Sequence, residues 1–470
     1  MAPSIRRRIA SNTAVQVVGK AAILALAAAS LAVLTRYLGP DLYGRYTLAL
    51  MYMQLLIVVS DVGLYTTAVR EISKDPSRTE EIAGNVLTLR LLLSIVVILL
   101  GTGVSLLLPY EHDVRVAIAL AGGPLLFGML TTSLVTVLQS QLRMGRAVIG
   151  EVTGRAVALG LAVMVATLDL GFYAVMGAAA GGAAAALVVT WVLLRPIARV
   201  RFRSDRAVWR TLLAASIPLG LALAINEVYF RADTFIISLY EPFGQVGLYT
   251  LAYRILEFIL TFGTIFLTTV FPLLSDQVAR DEPRAARTIQ ASFDLFVIVG
   301  APLVAGGLVL APEIIKLAGG ADFADAATPL RILLFAGALA WVNGVFGFAL
   351  IAKSRQASAL WLNVTGLTFN LGLNFLLIPR YGIVAAAVVT VASELLILAG
   401  SYPLMRRHFG FFPRPLTLLP ALAAAAAMGG VLWLLQDAPV FMLVPFGAGL
   451  YAGLVYALSP RTREIAHGSR

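Results

Sequence analysis

Fourteen long apolar runs constrain this sequence more than any other feature. Each run has about 20 residues or more, which is the length that an α-helix needs to cross the roughly 30 Å hydrocarbon core of a bilayer. In chain order, the predicted spans 1 to 14 are Ala14–Leu34, Tyr46–Val69, Val86–Leu108, Val114–Leu138, Val148–Leu168, Phe172–Leu194, Leu212–Leu239, Val246–Phe271, Ile289–Leu310, Leu330–Ile351, Ala359–Ile378, Ile383–Tyr402, Leu416–Leu435 and Val440–Leu458. The pattern predicts an all-α polytopic membrane protein.

Composition supports this class and excludes others. Of the 470 residues, 59% are hydrophobic and only 13% are charged, against about 25% charged residues in soluble domains. The chain has no cysteine, and its three histidines lie in loops or the tail, so we expect no metal site. No phosphate-binding or dinucleotide glycine motif is present, and the longest outer loop, Ala311–Pro329, is too short for a catalytic domain. We therefore expect no cofactor and no enzymatic activity.

The distribution of basic residues predicts the orientation. With the N-terminus on the cytoplasmic side, the inner segments hold 25 lysines and arginines and the outer loops hold five, as the positive-inside rule requires. The outer five are Arg36, Arg45, Arg115, Lys316 and Arg380. Because the net charge of +11 is concentrated in these short inner loops, it indicates membrane orientation rather than nucleic-acid binding. We expect a multi-pass protein of the cell (inner, cytoplasmic) membrane with both termini in the cytoplasm.

Two pairs of matching segments indicate an internal duplication. Tyr43–Ala49 and Val246–Ala252 are identical at five of seven positions, 203 residues apart, and Glu151–Gly154 resembles Asn363–Gly366 at an offset of 212. The two offsets fit a repeated unit of six helices. Because six is even, both copies enter the membrane from the same side, which is a known arrangement in transporters.

The repeat predicts three parts of the chain. Residues 1–200 form an N-lobe with spans 1–6, residues 201–410 form a C-lobe with spans 7–12, and residues 411–470 carry two additional helices and a cytoplasmic tail. We expect a monomer whose substrate path lies between the lobes. The alternative is that the duplication serves assembly alone, without transport.

Ionisable residues within the predicted spans are candidates for a polar site, because each is costly in the hydrocarbon core. Three acid–base pairs lie three or four residues apart: Glu151–Arg155, Glu227–Arg231 and Arg254–Glu257. Either these pairs neutralise themselves and hold helices together, or they line a water-filled cavity in which arginines bind an anionic headgroup. The cationic candidates are Lys20, Arg155, Arg231 and Arg254. Arg90, Glu151, Asp294 and Arg331 lie near the ends of their spans, where snorkelling or capping is expected.

Carboxylates and amides form two further candidate sets. Asp61, Asp233 and Glu394 have no basic partner three or four residues away, so each is either a proton or sodium site or is paired from a neighbouring helix. With Glu227 and Glu257 they are the candidates for ion coupling. Span 11 carries a polar stripe of Asn363, Asn370 and Asn374, which suits sugar hydroxyls or contacts between helices equally well.

The opening of the chain resembles a known family. Thr35–Tyr46 contains an LGP-x-x-YG-x-Y turn, Asp61–Tyr65 contains D-x-G, and Val69–Ile72 follows. These segments, with Val246–Arg254, resemble the polysaccharide-transport flippases, namely the O-antigen (Wzx-type) and related members of the multidrug/oligosaccharidyl-lipid/polysaccharide (MOP) exporter superfamily. The resemblance implies a MATE-like fold with two six-helix lobes.

The resemblance also implies a function. Such proteins move a polyprenyl-diphosphate-linked oligosaccharide from the inner to the outer leaflet by alternating access, driven by an ion gradient (H⁺ or Na⁺) or the membrane potential. It implies lipid-linked oligosaccharide and membrane lipid as partners, beside a polymerase or ligase, and no nucleic acid. The alternatives are an antiporter of drugs or organic cations from the same superfamily, which would use carboxylates for binding, and a non-transporting component of polysaccharide assembly.

Overall fold

The computed structural model describes the backbone of residues 3–61 and 63–458. Side chains are described in these ranges except at 3–15, 17, 58–60, 218, 219, 221–227, 229 and 230. The described residues form thirteen α-helices: α1 Pro3–Asp61, α2 Leu64–Lys74, α3 Thr79–Ser105, α4 His112–Ser140, α5 Met144–Thr167, α6 Phe172–Leu194, α7 Arg206–Tyr240, α8 Phe243–Arg280, α9 Glu282–Gly319, α10 Ala327–Ala352, α11 Gln356–Phe409, α12 Leu418–Leu434 and α13 Val440–Leu458. Two short 3-10 turns, Pro76–Arg78 and Ala321–Ala326, precede α3 and α10.

Two of these helices each carry two predicted spans. α1 is interrupted at Gly39 (φ 66°, ψ 177°), and α11 at Gly382 (φ 63°, ψ −150°). Positive φ favours glycine because an L side chain is strained there, and Pro40 then begins the second arm of α1 with the fixed φ that suits a helix start. Both interruptions fall between predicted spans.

The membrane-length helices confirm the predicted fold class. In the described part of the chain, ten helices are long and apolar enough to cross a bilayer, and they overlap twelve of the fourteen predicted runs. The other two runs correspond to α7, with 35 residues, and α12, with 17 residues. The chain is therefore an all-α, multi-pass membrane protein.

The second predicted span differs from the structure. The apolar run Tyr46–Val69 predicts a single helix, but α1 ends at Asp61 and α2 begins at Leu64. The break lies at Gly63, whose backbone is left-handed (φ 75°, ψ 12°). The backbone N–H of Tyr65 in the new helix donates to Asp61 Oδ1 at 3.4 Å.

Matched turns confirm the duplication at an offset of 212 residues. Two residues after the ends of α4 and α10, a residue other than glycine has positive φ: Leu142 (56°) and Ser354 (58°). The next N–H, of Arg143 or Arg355, donates to the carbonyl five residues earlier at 2.8 Å in each case. This is the hydrogen bond that defines a Schellman helix end, repeated at equivalent positions of the two halves.

The two segments that lie 203 residues apart also make matching hydrogen bonds. Thr47 Oγ1 donates to the carbonyls of Tyr43 and Gly44 at 2.9 and 3.2 Å, and Thr250 Oγ1 donates to those of Val246 and Gly247 at 2.8 and 3.2 Å. Identical side chains therefore make identical local contacts in the two copies.

The chain forms two compact units, residues 1–239 and 240–470. In the first, α3 and α4 contribute buried side chains such as Val86, Leu134 and Val137 to one core. The core of the second is rich in aromatic rings, with Phe296 stacked on Trp341 at a centroid distance of 5.5 Å. The division at residue 200 expected from the repeat, and the separate part 411–470, remain predictions.

Candidate functional site

A buried ion pair connects three helices of the first unit. The side chain of Arg90 on α3 is 0% exposed, and its Nη2 donates to Asp61 Oδ1 at the end of α1. Its Nη1 donates to Ser133 Oγ on α4 at 3.4 Å. Beside it, Tyr65 OH donates to Gln139 Oε1. Asp61, an ion-coupling candidate, thus has a cationic partner on a neighbouring helix.

Two residues that the sequence placed near span ends are buried instead. Arg90 on α3 does not reach the helix end or solvent, because its side chain is 0% exposed and is paired with Asp61. Asp294 on α9 is also 0% exposed, and its Oδ1 accepts from Gln290 Nε2 at 3.1 Å and from Thr417 Oγ1 at 2.9 Å. Both side chains therefore have fixed polar partners inside the protein.

The cationic candidates lie in different environments. Lys20 on α1 is exposed, and Arg231 on α7 is half-buried. Arg155 on α5 is 50% exposed, with its Nη2 3.8 Å from Glu151 Oε1. Arg254 on α8 is 44% exposed, and its Nη1 donates to Glu257 Oε2 at 2.8 Å. The structure thus brings together the Arg254–Glu257 pair and, more loosely, Glu151–Arg155. The side chain of Glu227, the expected partner of Arg231, lies outside the described residues.

Exposed charge in the middle of these helices limits what can surround them. Arg254 lies eleven residues from the start of α8, and Arg155 eleven residues from the start of α5, so each is about 16 Å along a membrane-length helix. A charged side chain at such depth is costly in contact with lipid. The groups therefore need water, an opposite charge or an anionic ligand at the exposed surface of their own unit.

Two of the carboxylate candidates, Glu394 and Asp233, are buried. Glu394 on the second arm of α11 is 7% exposed, and Asn343 on α10 donates through Nδ2 to Glu394 Oε2 at 2.7 Å and to its backbone carbonyl at 2.9 Å. Asp233 on α7 is 4% exposed. Glu394 is held by an amide, whereas Asp61 is held by a guanidinium.

The polar stripe on α11 divides into two parts. Asn370 and Asn374 are buried, and Asn374 Nδ2 donates to Asn370 Oδ1 at 2.9 Å. Asn363 is exposed, about two turns closer to the helix start than Asn370. The structure thus joins two of the three amides and leaves the third apart.

Sequence reasoning missed the partners of the buried carboxylates. Asn343 lies in the predicted span Leu330–Ile351, and an asparagine in an apolar run is the signal that could have found it. Thr417, which donates to Asp294, stands immediately before α12, at a helix end where polar residues are common. Pairing across helices depends on how each helix is rotated, which composition does not determine.

Solved structures of the same fold define the class of the protein. Residues covering 94% of this chain superpose on 98% of the lipid II flippase MurJ in an inward closed conformation, with a TM-score of 0.79 and 12% identity. An inward-facing multidrug resistance MATE family transporter of the MOP superfamily superposes with a TM-score of 0.62 and 15% identity, over 83% of this chain and 94% of that one. A MOP superfamily transporter from Pyrococcus furiosus superposes with a TM-score of 0.56 and 15% identity, over 86% of this chain and 96% of that one. The chain has the fold of MOP superfamily transporters.

The family itself is shown by sequence. The pattern of the family described as polysaccharide biosynthesis protein matches residues 9–278, more than half of the chain, and the chain belongs to this family. The family resemblance read from the opening motifs is thereby confirmed.

Two curated relatives come from Haloferax volcanii. The probable low-salt glycan biosynthesis flippase Agl15 is 30% identical over 166 residues, 35% of each chain. The probable flippase AglR is 24% identical over 254 residues, 50% of this chain and 52% of that one. The matched segments thus span about half of these relatives or less.

Proposed function

We propose that this protein is a flippase that moves a polyprenyl-diphosphate-linked oligosaccharide from the cytoplasmic to the outer leaflet for the assembly of a surface glycan. The two repeats alternate in the access they give to the two sides of the membrane. Both termini lie in the cytoplasm. The protein acts as a monomer beside the polymerase or ligase that uses the translocated glycan.

Family and fold support a flippase over an enzyme or a scaffold. The chain belongs to the polysaccharide biosynthesis protein family. Both Haloferax volcanii relatives are described as probable flippases, one of them in glycan biosynthesis. The fold extends over 94% of the chain in the comparison with a lipid II flippase. A lipid-linked glycan is the substrate that combines these descriptions.

The observation that carries the proposal is the exposed guanidinium of Arg254 in the interior of α8. Arginine remains charged at every physiological pH, and its planar fork binds phosphate oxygens through two parallel hydrogen bonds. In this proposal a diphosphate replaces Glu257 as the anionic partner of Arg254. Glu257, which holds Arg254 in the absence of substrate, would be displaced or would release the arginine as the diphosphate binds.

The other cationic candidates extend this role. Lys20 is exposed on α1, and no described side chain forms an ion pair with it. Arg231 lies on α7, and Arg155 on α5. In this proposal Arg254, Arg231 and Lys20 bind the diphosphate, with Arg155 as an additional cation. The exposed Asn363 provides an amide for sugar hydroxyls.

For ion coupling, the contacts favour Glu394 over Asp61. Asp61 is paired with the buried Arg90, so the loss of its charge would leave a guanidinium without its counter-ion. Glu394 accepts a hydrogen bond from the amide of Asn343, and in this proposal protonation or sodium binding neutralises its carboxylate. Asp233, Glu227 and Glu257 remain secondary candidates.

An organic-cation antiporter is the second candidate, because the fold also matches a multidrug transporter and because carboxylates stand beside the exposed arginines of α5 and α8. Purified protein in vesicles separates the two functions. We expect translocation of a fluorescent polyprenyl-diphosphate oligosaccharide that is unaffected by an excess of ethidium or tetraphenylphosphonium. Uptake of these cations in exchange for protons, without lipid translocation, would overturn the flippase proposal.

A further inference from the structure

The segment Arg195–Arg210, which comprises the connection from α6 to α7 and the first residues of α7, concentrates positive charge. All six of its arginines are exposed: Arg195, Arg199, Arg201, Arg203, Arg206 and Arg210. Among the described residues, none of them forms an ion pair with an acidic side chain. The one acidic residue of the segment, Asp205, accepts from the backbone N–H groups of Ala207 and Val208 and so caps α7.

Six other basic residues of the predicted inner loops are neutralised by neighbouring carboxylates. Lys74 and Arg70 contact Glu71 at 3.0 and 3.2 Å, and the hydrogen bond from Lys74 lowers the pKa of Glu71. Further pairs of the same kind are Arg78–Glu81, Arg280–Asp276, Arg284–Asp281 and Lys353–Glu282. The arginines of the 195–210 segment differ from these six residues in having their charge available to a partner.

The backbone of the segment is fixed against the start of α3. The N–H of Arg199 donates to Glu80 Oε1 at 2.7 Å, that of Arg203 to Thr88 Oγ1 at 3.0 Å, and that of Asp205 to Asn85 Oδ1 at 2.7 Å. The approach is so close that a Cβ on Gly84 would lie 2.3 Å from the carbonyl oxygen of Arg201. Membrane orientation requires only the charge of such a loop; it does not require a fixed conformation.

The inward and outward sides of the segment have opposite character. Ala198 is buried in the core of the first unit, with Ile197 and Val200 packed against that core, while the arginines point away. Two aromatic side chains accompany the arginines outward. Phe202 is 61% exposed, and Trp191 lies beneath the guanidinium of Arg195 at 3.5 Å. Exposed aromatic rings among basic residues are typical of a surface at the level of lipid headgroups.

We propose that the segment Arg195–Arg210 is a preorganised docking surface for anionic phospholipid headgroups of the cytoplasmic leaflet. The arginines bind phosphate groups, Phe202 inserts among the acyl chains, and the hydrogen bonds to α3 hold the segment in place. This role concerns the lipids that surround the protein and does not depend on the transported substrate.

The test uses the full-length protein in nanodiscs that contain phosphatidylglycerol and phosphatidylcholine in equal amounts. Native mass spectrometry counts the lipids that stay bound after release from the disc. The variant R199Q/R201Q/R203Q retains every backbone hydrogen bond to α3, and we expect its affinity for phosphatidylglycerol to fall by about fivefold for each arginine removed. Phosphatidylcholine retention should not change.

A matched variant controls for net charge. R78Q/R280Q/R284Q removes three exposed arginines as well, but each of these is ion-paired, so we expect phosphatidylglycerol retention to match the wild type. An equal loss of bound phosphatidylglycerol in both variants, or no loss in either, would overturn the proposal. Melting curves in phosphatidylcholine alone, which should coincide for all three proteins, confirm that the variants are folded.

Discussion

The guanidinium of Arg90, fully buried on α3, is paired with the carboxylate of Asp61, the last residue of α1. This pair lies beside the point at which the apolar run Tyr46–Val69 breaks into α1 and α2. Asp61 also accepts a hydrogen bond from the first turn of α2. One carboxylate therefore ends one helix, begins the next and neutralises a buried cation.

The first prediction concerns this ion pair. Asp61→Asn leaves Arg90 buried without a counter-ion, and we expect the free energy of unfolding to fall by about 3–5 kcal/mol. Adding Arg90→Met should restore much of the loss, because the unpaired charge is then gone. Unfolding in detergent with increasing denaturant measures the stability of the single and the double variant. Glu81→Gln, which removes the exposed ion pair with Arg78, is the control, and its free energy of unfolding should change little. A double variant no more stable than Asp61→Asn would contradict this account.

The second prediction concerns the contact between α5 and α6. A Cβ on Gly154 would lie 2.8 Å from the carbonyl oxygen of Gly182, so the two helices approach closely through small residues. Gly154→Leu should destabilise the first unit by about 1–3 kcal/mol through overpacking. Gly160→Leu on the same helix is the matched control, because nothing lies within 4 Å of its Cβ position. Melting temperatures compare the two, and equal shifts would argue against the contact.

The third prediction uses the repeated helix ends. Leu142 and Ser354 both hold positive φ, which costs an L residue about 1–2 kcal/mol, partly offset in glycine by its greater freedom in the unfolded chain. Leu142→Gly and Ser354→Gly should each stabilise the protein by up to about 1 kcal/mol. Ala357→Gly, at a helical position, should destabilise it by a similar amount. If one of the substitutions Leu142→Gly and Ser354→Gly stabilised the protein and the other destabilised it, the two turns would not be equivalent.

The fourth prediction concerns ion coupling. If Glu394 carries the coupling ion, Glu394→Gln should abolish the acceleration of lipid translocation by an imposed proton or sodium gradient while leaving slow, gradient-independent translocation. Asp325→Asn, in the exposed 3-10 turn before α10, is the control and should respond like the wild type. The assay is translocation in vesicles with and without the gradient. A Glu394→Gln protein that still responds fully would exclude this carboxylate from coupling.

The fold could be predicted because the patterns that indicate it are strong and can be read along the sequence alone. Apolar length predicts spans, and basic residues predict their orientation. The repeat was visible in Tyr43–Ala49 and Val246–Ala252, and the structure shows the same hydrogen bonds at both. The break at Gly63 was missed because the run around it is continuously apolar, and only the backbone angle of one glycine interrupts the helix.

The candidate site was less accessible from sequence, because the partners of buried charges come from other helices. Spacing along one helix identified Arg254–Glu257 correctly. It gave no partner for Asp61 or Glu394, whose contacts with Arg90 and Asn343 depend on helix rotation and packing. The burial of Arg90 was missed because its partners, Asp61 and Ser133, lie on other helices. The functional roles of these residues remain predictions.

Arg254 provides the most direct test of the flippase proposal. Purified protein is reconstituted into vesicles with a fluorescent polyprenyl-diphosphate oligosaccharide, and a membrane-impermeant quencher reports its translocation. The control is Arg280→Gln, which lies on the same helix α8 and is also paired with a carboxylate, Asp276 at 2.8 Å, but at the helix end. We predict that Arg254→Gln lowers the translocation rate at least tenfold while Arg280→Gln and the wild type remain equal. Equal rates for all three proteins would contradict the claim that a cation within the membrane binds the diphosphate.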